Sequence, residues 1–531
     1  MRRIFLFLFA LFALGGCARA PREAGTLRLT TSTDPSKLDP ALSYDTTSIN
    51  FVRVLYRGLV DYDDKALIAG VVAKNWTVSP DGKTYTFRLR NDVKFHSGRR
   101  VVAEDFRYAI ERVLDPKTAS DGLTFYKIIQ GASQWSEAKA KNPKLQSHVP
   151  GIAVRGEDEI AFRLVQPDVT FLNVLALPFA YAVPREWVEQ LAARGETLSD
   201  HPNGCGPFKF VEWQHNASLK LERNPAYFQK GLPRCERIEL QIGGDETLGQ
   251  MRFELGDFDV QTDIPATDFA RLKKDPGKLQ VQHAPMMDIR YLCMNNEVAP
   301  FNDVRVRRAF NYAIDKARLL PLRSGRIQAA RGVLPQGMPG YNPNLRGYEY
   351  DPEKAKQLLK QAGKSDLKLT LWTSKNDDYD KMAVSIQDDL KKVGVQLDIK
   401  IVTYPELKTL AGKRGKIGLC ILGWLQDYAD PANFLDVLFN GNKITDTASL
   451  NRAFYSNPKV NKLLDKAGVE TDVANRLKMY GQAEQQIVDD APWVFLYHSE
   501  RYIVTQPWVS GYKLHPMWSA RYEYVAVNGK Q

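Results

Sequence analysis

The only long apolar run of this 531-residue chain lies at its N-terminus, and this restricts the folds open to the rest. Arg2 and Arg3 precede an unbroken apolar segment, residues 4–14, which is too short to span a bilayer as a helix. A positive segment, a short apolar core and small residues before a break are typical of a secretory signal, which we assign to residues 1–16. No later stretch approaches ~18 consecutive apolar residues, which excludes a helical channel or transporter.

The residues Leu14-Gly15-Gly16-Cys17 resemble the lipobox of bacterial lipoproteins, in which the cysteine is acylated and becomes the first residue. This resemblance implies a lipid anchor on Cys17 and a tether over residues 17–26. Lipid chains hold a protein on a membrane through their buried methylene groups. The alternative is a plain secretory signal with an incidental cysteine. We expect the protein in the periplasm or at the outer face of the cell membrane.

Four further cysteines follow in the mature chain, namely Cys205, Cys235, Cys293 and Cys420. Disulfides persist in exported proteins, and proximity in sequence favours Cys205–Cys235 with Cys293–Cys420 as its complement. Four buried thiols are the alternative that the sequence leaves open. No CxxC spacing occurs, so no zinc cluster is predicted.

The composition describes a folded protein of several domains without a surface for nucleic acid. The length is enough for about three or four domains at roughly 150 residues each. The formal charge is +11, but the 73 lysines and arginines are interleaved with 62 acidic residues. No block of about five like charges appears, so we expect a solvated, mildly basic surface and no nucleic-acid partner.

Strand and helix signals alternate along the chain, which predicts mixed α/β lobes. Residues 85–90 alternate apolar and polar side chains, as in a half-buried strand. Between residues 103 and 114 the apolar side chains fall on one face of a helix. The other predicted elements are a hairpin over residues 207–213 and 218–222, a helix capped by Asp303, and a helix from Asp351 to Gly363.

No arrangement of residues in the sequence predicts bond-breaking chemistry. The sequence contains no GxSxG elbow, no HExxH zinc motif and no EF-hand loop. The seven histidines are scattered without the spacing of a metal site. We therefore expect a protein that is not an enzyme and uses no cofactor or metal. An exported, anchored protein of several lobes is most simply explained as one that captures a molecule and presents it.

Several segments, in the expected order, resemble the family 5 extracellular solute-binding proteins, the substrate-binding components of bacterial peptide ABC importers. These segments are residues 38–40, Trp76 with residues 81–90, then residues 93–98, 103–106, 204–208, 255–259, 300–307, 423–431 and 507–512. Cys205 departs from the pattern, because threonine is usual at that position. Together the segments cover nearly the whole mature chain.

The resemblance implies an α/β fold of two lobes, the type II periplasmic-binding-protein fold of the large cluster, with an extra subdomain inserted in the first lobe. Lobe I would comprise residues 27–62, 185–290 and 506–531, the inserted subdomain residues 63–184, and lobe II residues 291–505. The lobes of a monomer would close over a ligand by a hinge, and the permease subunits of the importer would recognise the closed form.

The resemblance also implies a site for peptides, whose shared features are a charged amine, a charged carboxylate and a repeating backbone. In peptide-binding members the position of Asp427 receives the ammonium group of the ligand, although a turn-stabilising aspartate is the alternative. The other implied ligand-binding residues are Trp424, Tyr44, and the backbone groups of Gly423, Leu425 and Thr46, which would pair with the ligand as added strands. For Trp424, packing in the core is the alternative.

The sequence leaves the cation for the ligand carboxylate open. Lys413, Arg414 and Lys416 precede the Asp427 segment, but no match selects one of them, so the length of the peptide stays undetermined. Other ligands within the family, a nickel chelate or an oligosaccharide, are the first alternative function. A secreted hydrolase of wall peptides is the second, although the sequence contains no residues for that chemistry.

Overall fold

The computed structural model describes residues 25–262, 264–375 and 378–529. The predicted signal and Cys17 lie outside these residues. The strands are β1 Thr26–Thr31, β2 Val60–Tyr62, β3 Ile68–Gly70, β4 Ala73–Val78, β5 Thr84–Leu89, β6 Ile152–Arg155, β7 Glu159–Arg163, β8 Phe208–Gln214, β9 Ser218–Arg223, β10 Arg237–Ile242, β11 Val260–Gln261, β12 Gln280–Pro285, β13 Asp288–Met294, β14 Ile327–Ala329, β15 Leu367–Thr373, β16 Val395–Ile401, β17 Leu419–Leu425, β18 Trp493–Thr505, β19 Val509–Ser510 and β20 Ala526–Val527.

The helices alternate with the strands, as the sequence predicted. They are α1 Thr46–Leu55, α2 Ala103–Leu114, α3 Leu123–Tyr126, α4 Ala132–Lys141, α5 Phe171–Leu175, α6 Arg185–Ala193, α7 Glu246–Glu254, α8 Ala266–Lys274, α9 Val304–Ala313, α10 Pro352–Gln361, α11 Tyr379–Lys391, α12 Tyr404–Ala411, α13 Leu435–Phe439, α14 Pro458–Val469 and α15 Val473–Asp490. None of these described helices has both the length and the apolar character that crossing a membrane requires.

The first lobe is built on a four-stranded sheet in the order β1-β10-β9-β8. In β10 the side chains of Ile238, Leu240 and Ile242 alternate inward, because successive side chains of a strand point to opposite faces. Their buried cluster also contains Leu27 and Val527, so chain segments far apart in sequence share one core. A second four-stranded sheet, β4-β5-β7-β6, packs against α2.

The second lobe is built on the largest sheet, whose main path is β11-β18-β13-β17-β15-β16. The neighbours β13 and β17 are antiparallel, whereas β15 and β16 run parallel. The 13-residue strand β18 also pairs with β11 and β12, so it extends from the second lobe toward the first. The result is the two-lobe α/β fold that the sequence predicted.

The local elements that the sequence predicted are confirmed. Helix α2 spans Ala103–Leu114, and the β8–β9 hairpin forms with the expected partners. Asp303 caps α9 and Asp351 caps α10, because each carboxylate accepts a hydrogen bond from a backbone N–H of the first turn. Gly363 follows α10 with a φ of +69°, a conformation that glycine adopts without strain.

The four cysteines of the mature chain are all free thiols, and all are buried: Cys205, Cys235, Cys293 and Cys420. The predicted Cys205–Cys235 and Cys293–Cys420 disulfides are therefore not formed in this structure, and the alternative of buried thiols describes it. Cys293 and Cys420 nevertheless lie directly opposite each other in the β13–β17 register. Burial raises the pKa of the Cys293 thiol well above its ordinary value, and the neighbouring Cys420 thiol acts in the same direction.

Candidate ligand-binding cleft

A cavity of about 960 Å³ lies between the two lobes. This volume is at the upper end of the roughly 300–1,000 Å³ that small-molecule pockets occupy. All six residues that the sequence singled out for ligand binding line the cavity: Tyr44, Thr46, Gly423, Trp424, Leu425 and Asp427. The fold thus brings together side chains from segments that are almost 400 residues apart, and their role in binding remains a prediction.

Asp427 is held by neutral hydrogen-bond donors on both of its carboxylate oxygens. Tyr44 Oη donates to Oδ1 across the cleft at 2.7 Å, and Asn433 Nδ2 donates to Oδ2 at 3.0 Å. The backbone N–H of Asp427 donates to Asn433 Oδ1 at 2.8 Å, so the carboxylate is fixed at both ends. Within the described chain, no lysine, arginine or histidine forms an ion pair with Asp427, so its charge is uncompensated.

The local sequence explains how Asn433 reaches Asp427. Strand β17 ends at Leu425, and Asp430 caps a short 3₁₀ turn, Pro431–Asn433. Proline fits the first position of such a turn, since its missing N–H is not needed there. The turn brings the Asn433 amide back beneath the Asp427 carboxylate, which explains the spacing of six residues between them.

Burial within the cleft raises the pKa of the Asp427 carboxyl above its ordinary value. The hydrogen bonds from Asn433 and Tyr44 act in the opposite direction and offset only part of this effect. An ammonium group placed beside the carboxylate would remove the electrostatic cost of the buried charge. The site is therefore suited to a cationic ligand group.

Asp430, three residues further along, lies in a contrasting environment. Its Oδ2 accepts a hydrogen bond from Arg476 Nη1 at 2.6 Å, and the two side chains are 5% and 12% exposed. Its Oδ1 caps the 3₁₀ turn by accepting from the Ala432 N–H at 3.0 Å. Asp430 is therefore a structural residue with its own cation.

The backbone of β17 beside Asp427 is paired on one side only, within the described sheet. Gly423 lies opposite Arg290 in β13, whereas the pairing with β15 is confined to Trp372 opposite Cys420. A Cβ on Gly423 would lie 2.7 Å from both Arg290 Cδ and Tyr379 Oη, so a larger residue there would require these side chains to move. The open side of Gly423–Leu425 supplies backbone groups that an extended ligand can pair with.

Thr46 differs from the prediction in its backbone conformation. It is the first residue of α1, and the Asp45 side chain caps that helix by accepting from the Ser48 N–H at 2.8 Å. Its backbone is therefore helical rather than extended, and its pairing with a ligand stays a prediction. The early N–H groups of a helix lack intrahelical acceptors, so Thr46 can still offer a donor to the cleft.

Tyr44 and Trp424 form opposite aromatic walls of the cleft. Tyr44 is 42% exposed, and its ring packs on Phe125 and Phe179 with centroid distances of 6.4 and 5.6 Å. Trp424 is half-buried against the core, and its Nε1 donates to Asn433 Oδ1 at 3.3 Å. Trp424 thus belongs to both the core and the cleft wall.

The three cations that the sequence offered for a ligand carboxylate are not among the residues lining the cavity. Arg414 instead forms ion pairs with Glu297 and Asp446. The basic residues that do line the cavity are Lys408, Lys443, Arg452 and Arg501. Lys443 is paired with Asp436, so its charge is already compensated.

Sequence reasoning missed Asn433 and Arg452. The spacing from Asp427 to Asp430-Pro431 indicates a turn that brings Asn433 close to Asp427, so the position of Asn433 could have been predicted from the turn residues. Arg452 lies in an irregular segment between α13 and α14, and no local pattern there indicates contact with the cleft.

With the fold and cleft described, comparison with known proteins identifies the family. The sequence profile of the middle region of bacterial extracellular solute-binding proteins, family 5, matches residues 68–446. The chain belongs to this family, whose members are solute-binding proteins.

Individual relatives match almost end to end. Di/tripeptide-binding protein 2 of Pseudomonas aeruginosa is 30% identical, over 98% of each chain. Heme-binding protein A of Haemophilus influenzae is 30% identical over 94% of this chain and 92% of its own. Among solved structures, an ABC transporter-associated periplasmic binding protein from Helicobacter pylori in complex with the peptide STSA has a TM-score of 0.77 and 28% identity, over 95% and 98% of the two chains.

Proposed function

We propose that this protein captures short peptides in the cleft between its lobes and delivers them to the permease of an ABC importer. The observation that carries the proposal is Asp427, a carboxylate in the cleft that neutral donors hold and no cation of the described chain neutralises. A peptide ammonium supplies the missing positive charge in a charge-assisted hydrogen bond. Relatives whose names state peptide binding support the same ligand class.

The proposed binding mode uses both lobes. The ligand backbone pairs with the open side of Gly423–Leu425, Trp424 contacts the first side chains, and Tyr44 closes the cleft from the other lobe. The lobe boundaries expected from the sequence place Tyr44 and Asp427 on opposite sides of a hinge. Closure over the ligand then produces the form that the permease recognises.

The residues that line the cleft are less suited to binding a metal chelate or heme than to binding a peptide. His515 is the histidine among the cavity-lining residues. Its Nε2 contacts the Asp63 carbonyl oxygen at 2.7 Å, and its Nδ1 accepts from the Met517 N–H at 3.1 Å. Both ring nitrogens are therefore occupied, which favours a peptide over a ligand that needs an imidazole.

The proposal includes export and a lipid anchor on Cys17, on the strength of the N-terminal sequence. Replacing Cys17 by Ser should move the protein from the membrane fraction to the soluble exported fraction. An unchanged membrane fraction would argue against the anchor. The proposal also assigns no catalytic step to the protein.

Mass spectrometry of ligands released from the purified protein by denaturation tests the function directly. We expect short peptides with free amino termini, and calorimetric titration with the same synthetic peptides should show one site per chain. Recovery of oligosaccharides or metal chelates alone would overturn the peptide assignment. Cleavage of the added peptides at catalytic rates would support the hydrolase alternative instead.

A further inference from the structure

A second cavity, of about 340 Å³, lies in the first lobe and has three cationic side chains in its wall. These side chains come from separate segments, because Arg234 precedes β10, Lys513 follows β19 and Arg521 precedes β20. We call this cavity the basic pocket. Its volume lies within the range of small-molecule pockets, so it has room for a ligand.

The basic pocket is separated from the peptide cleft by Leu514 and His515, which line both cavities. The His515 ring is fixed, because its Nε2 contacts the Asp63 carbonyl oxygen at 2.7 Å. Its Nδ1 accepts from the N–H groups of Met517 and Trp518 at 3.1 and 3.2 Å. The two cavities are therefore distinct sites with a common, rigid wall.

Arg521 forms the part of the wall whose charge is already compensated. Its Nη1 donates to Asp64 Oδ1 at 3.0 Å, and its Nη2 donates to Tyr524 Oη at 2.9 Å. The guanidinium also lies over the Tyr524 ring, 4.5 Å from the centroid. Asp64, the acidic residue of the wall, is thus paired with Arg521 and leaves the other two cations unpaired.

Arg234 and Lys513 are exposed, and neither forms an ion pair with an acidic residue in the described ranges of the chain. A Cβ on Gly511 would lie 3.7 Å from Arg234 Nη1, so the guanidinium lies beside the backbone two residues before Lys513. Like charges in one wall repel each other, and an anion between them removes this repulsion. The basic pocket is therefore suited to an anionic ligand.

The chain enters the fold beside this pocket. The N–H of Glu236 donates to the Gly25 carbonyl oxygen at 2.7 Å, and the Gly25 N–H donates to the Val527 carbonyl oxygen at 3.2 Å. Arg234 is two residues from Glu236, a distance of at most ~7 Å along the chain. The tether proposed from Cys17 therefore joins the fold close to Arg234.

The length of the tether limits how far the basic pocket lies from a membrane. Gly25 is eight residues from Cys17, which is at most ~29 Å of extended chain. A lipid anchor on Cys17 would place its acyl chains in the bilayer, so the pocket would stay near the phospholipid headgroups.

We propose that Arg234, Lys513 and Arg521 bind a phosphate group, which belongs either to a phospholipid headgroup or to a free phosphate ester. The guanidinium fork and the ammonium group both donate charge-assisted hydrogen bonds to phosphate oxygens. The phosphate neutralises the unpaired charges of Arg234 and Lys513. The phospholipid source rests on the proposed anchor, whereas the site itself does not depend on peptide binding.

Calorimetric titration of the Cys17→Ser protein with glycerol 3-phosphate tests the site without a lipid anchor. We expect one site per chain, with an affinity that falls as salt is added. Arg234→Gln/Lys513→Gln should weaken this binding at least tenfold and leave peptide affinity within threefold. Lys462→Gln/Lys466→Gln removes the same charge from exposed positions of α14 and should behave as the parent protein.

Flotation with vesicles separates the two sources of phosphate. Phosphatidylcholine vesicles with phosphatidylglycerol should carry more of the Cys17→Ser protein than vesicles without it, and Arg234→Gln/Lys513→Gln should abolish the difference. This result supports the phospholipid source. Binding of glycerol 3-phosphate without any gain from phosphatidylglycerol assigns the site to a free phosphate ester.

The inference is overturned if the protein binds neither glycerol 3-phosphate nor phosphatidylglycerol vesicles. An equal loss in Lys462→Gln/Lys466→Gln would overturn it too, because general surface charge would then explain the binding. Peptide titration of the same preparations shows that each variant is folded. A negative result for phosphate with intact peptide binding therefore rejects this site and leaves the proposed function standing.

Discussion

Asp427 and Asp430 lie three residues apart in one loop, yet their carboxylates have different kinds of partner. Asp430 has Arg476 at 2.6 Å, whereas the described partners of the Asp427 carboxylate are the neutral groups of Tyr44 and Asn433. A buried carboxylate with its own cation is satisfied within the protein. Among the described residues, the Asp427 carboxylate is thus oriented by hydrogen bonds but has no cation of its own.

Asp427→Asn should have the largest effect on peptide affinity. A peptide ammonium would then lie unpaired in the cleft, at a cost of about 2–5 kcal/mol, so affinity should fall at least tenfold in calorimetric titration. Asparagine can still accept from Tyr44 or Asn433, so thermal unfolding of the empty protein should change little. Asp121→Asn is the matched control, because Asp121 lines the same cavity but is exposed.

An unchanged affinity in Asp427→Asn would remove this residue from the site. An equal loss in Asp121→Asn would show that general charge in the cleft, rather than a specific contact, attracts the ligand.

Asp430→Asn should have the opposite balance of effects. The variant leaves the Arg476 guanidinium, which is 12% exposed, without its carboxylate, so the free energy of unfolding should fall by about 3 kcal/mol. Urea unfolding followed by circular dichroism measures this loss. The double variant Asp430→Asn/Arg476→Gln should lose less stability than the two single changes add up to.

If Asp430→Asn instead weakened peptide binding more than it weakened folding, the distinction between the two aspartates would be wrong.

Local elements were predictable because their signals are local. The apolar residues of helix α2 recur at helical spacing in the sequence, and α10 begins after its N-cap, Asp351. The helical backbone of Thr46 was also predictable, because Asp45 carries a clear N-cap signal. The position of Asp427 at the cavity was predictable from the resemblance of residues 423–431, not from a physical pattern.

The basic residues that line the cleft could not be predicted from the sequence, and the reason is physical. Lys413, Arg414 and Lys416 are close to Asp427 in sequence, but β17 lies between, and an extended strand carries its two ends far apart. Arg452 reaches the cleft from an irregular segment between α13 and α14. Such long-range placement has no periodic signature in the sequence.

The raised pKa of Asp427 predicts that peptide affinity depends on pH. Burial raises the pKa of Asp427, so protonation removes its charge at a higher pH than for an exposed aspartate, whose pKa is about 3.9. Below the raised pKa, affinity for a peptide should fall about tenfold per pH unit, and peptide binding should release protons. Titrations between about pH 4 and 7 measure this, and Asp427→Asn should show a flat profile.

In the empty protein the sign is reversed, because a raised pKa means that the folded state binds the proton more tightly than the unfolded chain. The contribution of Asp427 to stability is thus present at low pH and lost as pH rises through the raised pKa. A peptide affinity that stays constant down to about pH 4 would contradict a ligand-binding Asp427 carboxylate with a raised pKa.

The smallest expected effect concerns the partner of Asp427 on the other lobe. Tyr44→Phe keeps the ring that packs on Phe125 and Phe179 but removes the 2.7 Å hydrogen bond to Asp427. A carboxylate has acceptor sites for both this hydroxyl and a ligand ammonium, so the bond persists when peptide is bound. Its removal should weaken peptide binding about fivefold, or about 1 kcal/mol, by destabilising the closed form. Tyr341→Phe, at an exposed tyrosine that is not among the residues lining the cavity, is the matched control. If Tyr44→Phe tightened binding instead, the hydroxyl would be a competitor of the ligand for Asp427 rather than a support for it.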